Sequence, residues 1–95
     1  MESVIIQPCV YVLKLENDKW YVGKTYNMNL RYYQHLSGSG AKWTRLHKPI
    51  ECVKTSFNIT EKDMTIKYMI KYGWENVRGA GWCQCNLLNK PVELR

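Results

Sequence analysis

Cys9-Val10-Tyr11-Val12-Leu13-Lys14-Leu15-Glu16-Asn17-Asp18-Lys19-Trp20-Tyr21-Val22-Gly23-Lys24 opens the stretch, running on to His35, on which the fold turns. Val10 to Leu13 and Lys19 to Val22 are rich in β-branched and aromatic residues, and Glu16-Asn17-Asp18 between them carries turn chemistry. The spacing predicts a hairpin. Gly23 closes its second strand, and a helix follows from about Asn27 to Leu36, with Leu30 and Tyr33 as the apolar positions expected to pack on the hairpin. Asn27 or Asn29 suits its N-cap, and Ser37-Gly38-Ser39-Gly40 ends it with residues that tolerate positive φ. Tyr11, Tyr21, Arg31 and His35 are the polar groups this order gathers.

These residues carry a resemblance. Cys9-Val10-Tyr11 stands ten residues before Tyr21-Val22-Gly23, Arg31 ten after Tyr21, and His35 four later. The pattern resembles the GIY-YIG nuclease family, with Cys9 in place of the first glycine of the motif. Ser37 to Arg45, containing Gly40-Ala41-Lys42-Trp43-Thr44, and Pro49 beyond it are similar to a G-A-K-x-T segment found in several members. The likeness covers about residues 8 to 72, and Tyr72-Gly73 with Asn76-Val77-Arg78-Gly79 is similar to a tail in a subset of viral and related members.

Composition agrees with one domain over residues 1–95, in which the resemblance implies a core of about 8–72 and a C-terminal extension 73–95. The 45% apolar fraction excludes disorder, and no run approaches the ~20 residues of a membrane span. The start of the chain lacks the basic and apolar regions of a signal peptide, so an intracellular protein, in the cytoplasm or nucleus of a host cell, is the expectation. A net charge of +6 suits a polyanion partner, although composition alone does not separate that from a solvated basic surface. Cys83 and Cys85 form a C-x-C pair, but Cys9 and Cys52 sit apart in predicted strands, and the four read as reduced thiols.

Along the rest of the chain, Val4-Ile5-Ile6 is placed to extend the sheet. Ala41 to Pro49 reads as a basic loop or short helix, in which Lys42, Trp43 and Arg45 offer cations and a ring of the kind that line a nucleic-acid groove. Pro49 to Ser56 reads as a third strand. A second helix starts after Thr60, whose side chain can cap it with Asp63 completing a reciprocal bond, and runs to Gly73. Arg78 suits a phosphate or a carboxylate such as that of Glu75.

The resemblance implies an α/β fold, a small three-stranded mixed or antiparallel sheet flanked by helices. It implies a DNA endonuclease in which Tyr11, the first choice, or Tyr21 relays a proton from the attacking water. Arg31 would brace the scissile phosphate, and His35, one turn on and on the same helix face, would orient a tyrosine or help move its proton. Gly23 leaves room at the end of the second strand for the approach of substrate or helix, and Lys24 beside it reads as a phosphate contact or a solvated lysine. The family's metal-binding glutamate falls where this chain has Ile66, Lys67 or Met69; Glu61, sharing a helix face with Thr65, Tyr68 and Tyr72, is the substitute for holding Mg²⁺ or Mn²⁺. A first-turn glutamate also favours the helix dipole without any metal.

The expectation is therefore a metal-dependent endonuclease acting on double-stranded or branched DNA, with specificity drawn from DNA shape, from residues 42–48 or from a protein partner. The alternative is a catalytically degraded GIY-YIG-fold module that binds nucleic acid. A third reading, an interaction domain built on its tyrosines and tryptophans, differs in that phosphate contacts make binding salt-dependent.

Overall fold

The structure is a computed structural model and describes residues 7–95, so Val4-Ile5-Ile6 lie outside it. Strands β1 (Cys9–Leu15) and β2 (Lys19–Thr25) form the expected hairpin, with Tyr11 opposite Gly23 and Leu13 opposite Tyr21. Asn17 and Asp18 take positive φ values of 64° and 57° at the turn, a conformation their short polar side chains tolerate. Helices α1 (Met28–Ser37) and α2 (Lys42–Leu46) follow, then β3 (Pro49–Ser56), which runs antiparallel to β1, and helix α3 (Glu61–Tyr72).

Caps set the helix starts where the sequence places them. Asn27 Oδ1 accepts the Leu30 N–H at 3.1 Å, and Thr60 Oγ1 accepts the Asp63 N–H at 3.1 Å. The helix α1 residues that meet the sheet differ from expectation, however. Leu30 and Tyr33 are 53% and 67% exposed, while Met28, Tyr32 and the buried His35 face inward. The inward face of α1 is partly polar because it carries the chemistry.

The sheet has four strands rather than three. Val77–Gly79 forms β4, parallel to β2, with Trp20 opposite Val77 and Val22 opposite Gly79, giving the order β3-β1-β2-β4. Residues beyond the expected core thus complete the sheet. Gly73 turns the chain out of α3 at φ 95°. Asn76 then fastens the turn, donating to the Tyr72 carbonyl at 2.9 Å and accepting from Lys19 Nζ at 2.7 Å.

One core lies on each face of this sheet. Val10, Val12, Trp20, Val22 and Val77 pack against Met64, Tyr68 and Met69 of α3. Tyr11, Leu13, Leu15 and Tyr21 pack on the other face with Trp43 of α2. Alternation along the hairpin divides the two sets, so each strand serves both layers.

Two residues expected at a substrate surface are part of this interior. Trp43 is 4% exposed, and its indole N–H donates to the Trp20 carbonyl at 3.0 Å. Arg78 is 3% exposed and lies 4.4 Å over the Trp43 ring. Its Nε donates to the Gln84 carbonyl at 2.6 Å, Nη2 to that of Cys85 at 3.3 Å, and Nη1 to those of Val77 (2.9 Å) and Trp74 (3.1 Å). It also takes the carbonyl, not the carboxylate, of Glu75, at 3.3 Å. A guanidinium buried to this extent and committed to five carbonyls is not presented to a phosphate.

Arg78→Lys should therefore fail to replace the arginine, because an ammonium cannot span the same carbonyls or lie flat on the indole. Chemical denaturation should read a loss of about 2–4 kcal/mol. Gly79→Ala should cost a similar ~2 kcal/mol or more, since φ is +152° and a Cβ would meet the Val22 carbonyl.

Candidate active site

Tyr11 is the centre of the polar layer between the sheet and α1. Its ring lies over Gly23 on the neighbouring strand, where any Cβ would run into the hydroxyl and the ring carbons. Gly23 therefore makes room for Tyr11 itself, rather than for an incoming molecule. The hydroxyl so placed is 2.7 Å from His35 Nε2 and accepts from Arg31 Nε at 3.3 Å.

Helix α1 supplies both partners from one face, since Arg31 and His35 are a turn apart. Arg31 also donates through Nη1 to Gln34 Oε1 at 3.1 Å, which steadies the guanidinium from its own helix. His35 is 1% exposed and its other nitrogen, Nδ1, is 2.9 Å from Thr44 Oγ1. The Tyr21 ring stands 5.1 Å from the imidazole and 6.3 Å from the Tyr11 ring, so the two tyrosines and the histidine form one packed group.

The electrostatics follow from burial beside a fixed cation. Burial pushes the Tyr11 hydroxyl well above its ordinary range and raises that of Tyr21, while the Arg31 guanidinium pulls both back. Burial and then the Arg31 charge lower His35 to about 4, so it is neutral at pH 7. The arrangement is a buried phenol held between a permanent donor and an imidazole that is neutral at pH 7.

Around this group the remaining expected residues separate. Glu61, in the first turn of α3, is close enough for its charge to raise both tyrosines. It shares a cleft of about 370 Å³ with buried Val10 and with exposed Lys24 and Phe57. Lys42 and Arg45 project from α2 into solvent, and Arg45 with Lys48 lines a second cleft at His35. Tyr11, Tyr21, Arg31 and His35 are thus brought together, the charge of Glu61 reaches the tyrosines, Lys24 lines the cleft with Glu61, and Trp43 and Arg78 do not take part.

Thr44, Gln34 and Gly40 belong to the site although nothing singled them out. A Cβ at Gly40 would collide with His35 Nδ1, so the chain can cross the imidazole only as glycine. Gly40 and Thr44 both fall inside the Gly40-Ala41-Lys42-Trp43-Thr44 run, which was the available signal.

Comparison with known proteins gives this geometry a family. The GIY-YIG catalytic domain matches residues 7–75. The UPF0213 protein BH0048 of Halalkalibacterium halodurans is 38% identical over 64 residues, 66% of this chain and 68% of that protein. The UPF0213 protein YazA of Bacillus subtilis is 34% identical over 62 residues, 64% of this chain and 63% of that relative. An archaeal UPF0213 protein, from Natronomonas pharaonis, is 44% identical over 46 residues, 48% of this chain and 54% of its own length. No solved structure matches the chain. Because the domain match takes in the hairpin tyrosines, Arg31, His35 and most of the sheet, the chain belongs to the GIY-YIG family, a family of nuclease type.

Proposed function

We propose that this chain is a metal-dependent DNA endonuclease that hydrolyses phosphodiester bonds. The observation that carries the reading is the buried contact of the Tyr11 hydroxyl with His35 at 2.7 Å and Arg31 at 3.3 Å. A phenol between a donor-only cation and an imidazole is placed for a proton relay, in which its oxygen takes a proton from water as its own passes to His35 Nε2. Burial opposes that transfer in the resting site, so it would have to be driven by the bound cation and the charge developing on the phosphate. The placement favours Tyr11 over Tyr21 as the base. Arg31, part-exposed and only partly spent on Tyr11 and Gln34, keeps N–H donors for the phosphoryl oxygens.

The family implies a divalent cation. Among the described residues no three histidine, cysteine or carboxylate side chains converge, and Glu61 is the carboxylate whose charge reaches the tyrosines. Mg²⁺ and Mn²⁺ suit that donor set, because such ions take one or two carboxylates and fill the rest with water and substrate phosphate. Glu61 would hold the ion, which supplies charge neutralisation at the phosphate. Lys24, Lys42 and Arg45 are the exposed cations available to the DNA backbone, double-stranded or branched. Choice of site would come from DNA shape or from a partner protein. An intracellular setting belongs to the same reading; no helix among the described residues is long and apolar enough to cross a membrane.

Cleavage of supercoiled and branched DNA with Mn²⁺, Mg²⁺ or chelator provides the test. Cutting should require the cation, and Arg31→Ala or Tyr11→Phe should slow it by roughly 10²–10³-fold. Glu61→Ala should raise the cation concentration needed. If no cation supports cutting while salt-sensitive DNA binding persists, the chain is instead a binding module on a nuclease fold.

His35 also sets a pH dependence. It is lowered from 6.5 to about 4 in the folded chain, so between those values the unfolded chain binds the extra proton and the folded chain does not. Its contribution is present above pH 6.5 and lost as pH falls toward 4. Denaturation at pH 7 and pH 4.5 should show a decline, of which on the order of 2 kcal/mol disappears in His35→Asn.

A further inference from the structure

The hydrogen bonds through His35 all run one way. Arginine can only donate, so the Tyr11 oxygen accepts from Arg31 Nε, and the hydroxyl's single hydrogen is left to meet His35 Nε2. At the far end, Thr44 Oγ1 lies 2.7 Å from the Ala41 carbonyl, which can only accept. The threonine hydrogen goes there, and an oxygen lone pair faces His35 Nδ1 at 2.9 Å. Both ends suit the same imidazole, with the proton on Nδ1 and a bare Nε2; the Tyr11 oxygen has a second lone pair and can accept an Nε2–H as well, so the Thr44 end decides.

The opposite tautomer would turn an Nε2–H on the Tyr11 oxygen, leave the Tyr11 hydrogen without that acceptor, and set a lone pair of Nδ1 against that of Thr44. Tyr11, His35 and Thr44 are 0%, 1% and 1% exposed, so no bulk water is at hand to repair the mismatch. The backbone is shaped for this chain of bonds. Gly38, at φ 88°, ends α1, and Gly40 passes so close to Nδ1 that a side chain there would collide with it. That path delivers the Ala41 carbonyl and Thr44 to the back of the ring.

We propose that Thr44 is a positioning residue for this site: it holds His35 in the Nδ1–H tautomer and so keeps Nε2 open to the Tyr11 proton. The tautomer stands on the bonds above; its effect on rate rests on the nuclease reading. In that reaction the attacking water gives a proton to the Tyr11 oxygen while the Tyr11 proton moves to His35 Nε2. The water oxygen bonds to phosphorus, and the leaving sugar oxygen departs with the electron pair of the broken P–O bond and is protonated by solvent. The imidazolium that results still donates from Nδ1 to Thr44, so one threonine oxygen serves both charge states of the ring. An exposed threonine in α2 would do none of this.

The test uses the whole chain, with ¹⁵N-labelled histidine, and reads the two ring nitrogens by NMR at pH 7. The unaltered protein, Thr44→Ser and Tyr11→Phe should all show Nδ1–H at His35, the last because Thr44 and not Tyr11 sets the tautomer. Thr44→Val should shift His35 toward Nε2–H and slow DNA cleavage at least tenfold, with Thr44→Ser restoring both. Nε2–H at His35 in the unaltered protein, or Nδ1–H retained in Thr44→Val, would overturn the assignment. If Thr44→Val does not fold, the spectra of the unaltered protein and Tyr11→Phe still decide it. A shifted tautomer with unchanged cleavage would leave the assignment in place and remove the tyrosine relay.

Discussion

The contact between the Tyr11 hydroxyl and His35 Nε2 is the constraint around which the rest is arranged. A strand residue and a helix residue meet there at 2.7 Å inside a layer that would otherwise be apolar. Bringing them so close demands a bare position on the neighbouring strand, which Gly23 provides, and a bare crossing behind the imidazole, which Gly40 provides. Neither glycine is needed for a turn at its own position. Each removes one methyl group from the path of a ring. The cost of burying three polar side chains is offset because every one has a partner, and no buried side-chain nitrogen or oxygen among the described residues lacks one.

The two faces of the sheet divide the work. Against the methionines of α3 the hairpin presents valines and Trp20, a dry packing that fixes the sheet. Against α1 and α2 it presents tyrosines beside leucines, and polar atoms are carried within a mostly apolar wall. A low local dielectric there strengthens the pull of Arg31 on the phenol and keeps His35 free of a charge. The stable face lets the other tolerate chemistry.

Much of this was readable because it is local. The hairpin follows from β-branched strands around Glu16-Asn17-Asp18, and Asn27 and Thr60 announce helix starts within a few residues of the bonds they make. Where readings went astray, distance was the cause. Apolar spacing pointed Leu30 and Tyr33 inward, whereas the face of α1 turned to the sheet holds Arg31 and His35, because partners on β1 reward polar groups there. Arg78 was read by its charge, but sequence does not disclose that several carbonyls of residues 74–85 converge on it. A strand of three residues pairing in parallel leaves no periodicity to find, so β4 was invisible. Thr44 is marked only by its place in the Gly40-Ala41-Lys42-Trp43-Thr44 run, and its role exists only relative to His35.

The parallel pairing of β4 also sets the order in which the fold can be completed. The hairpin closes over a short turn, whereas Lys19 and Asn76 are 57 residues apart, and everything between them must be gathered before β4 can add to the sheet. Closing so long a loop is slow and is rewarded only at the end. Arg78 arrives with that strand and settles on Trp43, the residue next to Thr44. The back wall of the imidazole is therefore braced last, and a chain with its hairpin and helices formed but β4 unattached would hold its tyrosines and histidine without the support that keeps them aligned.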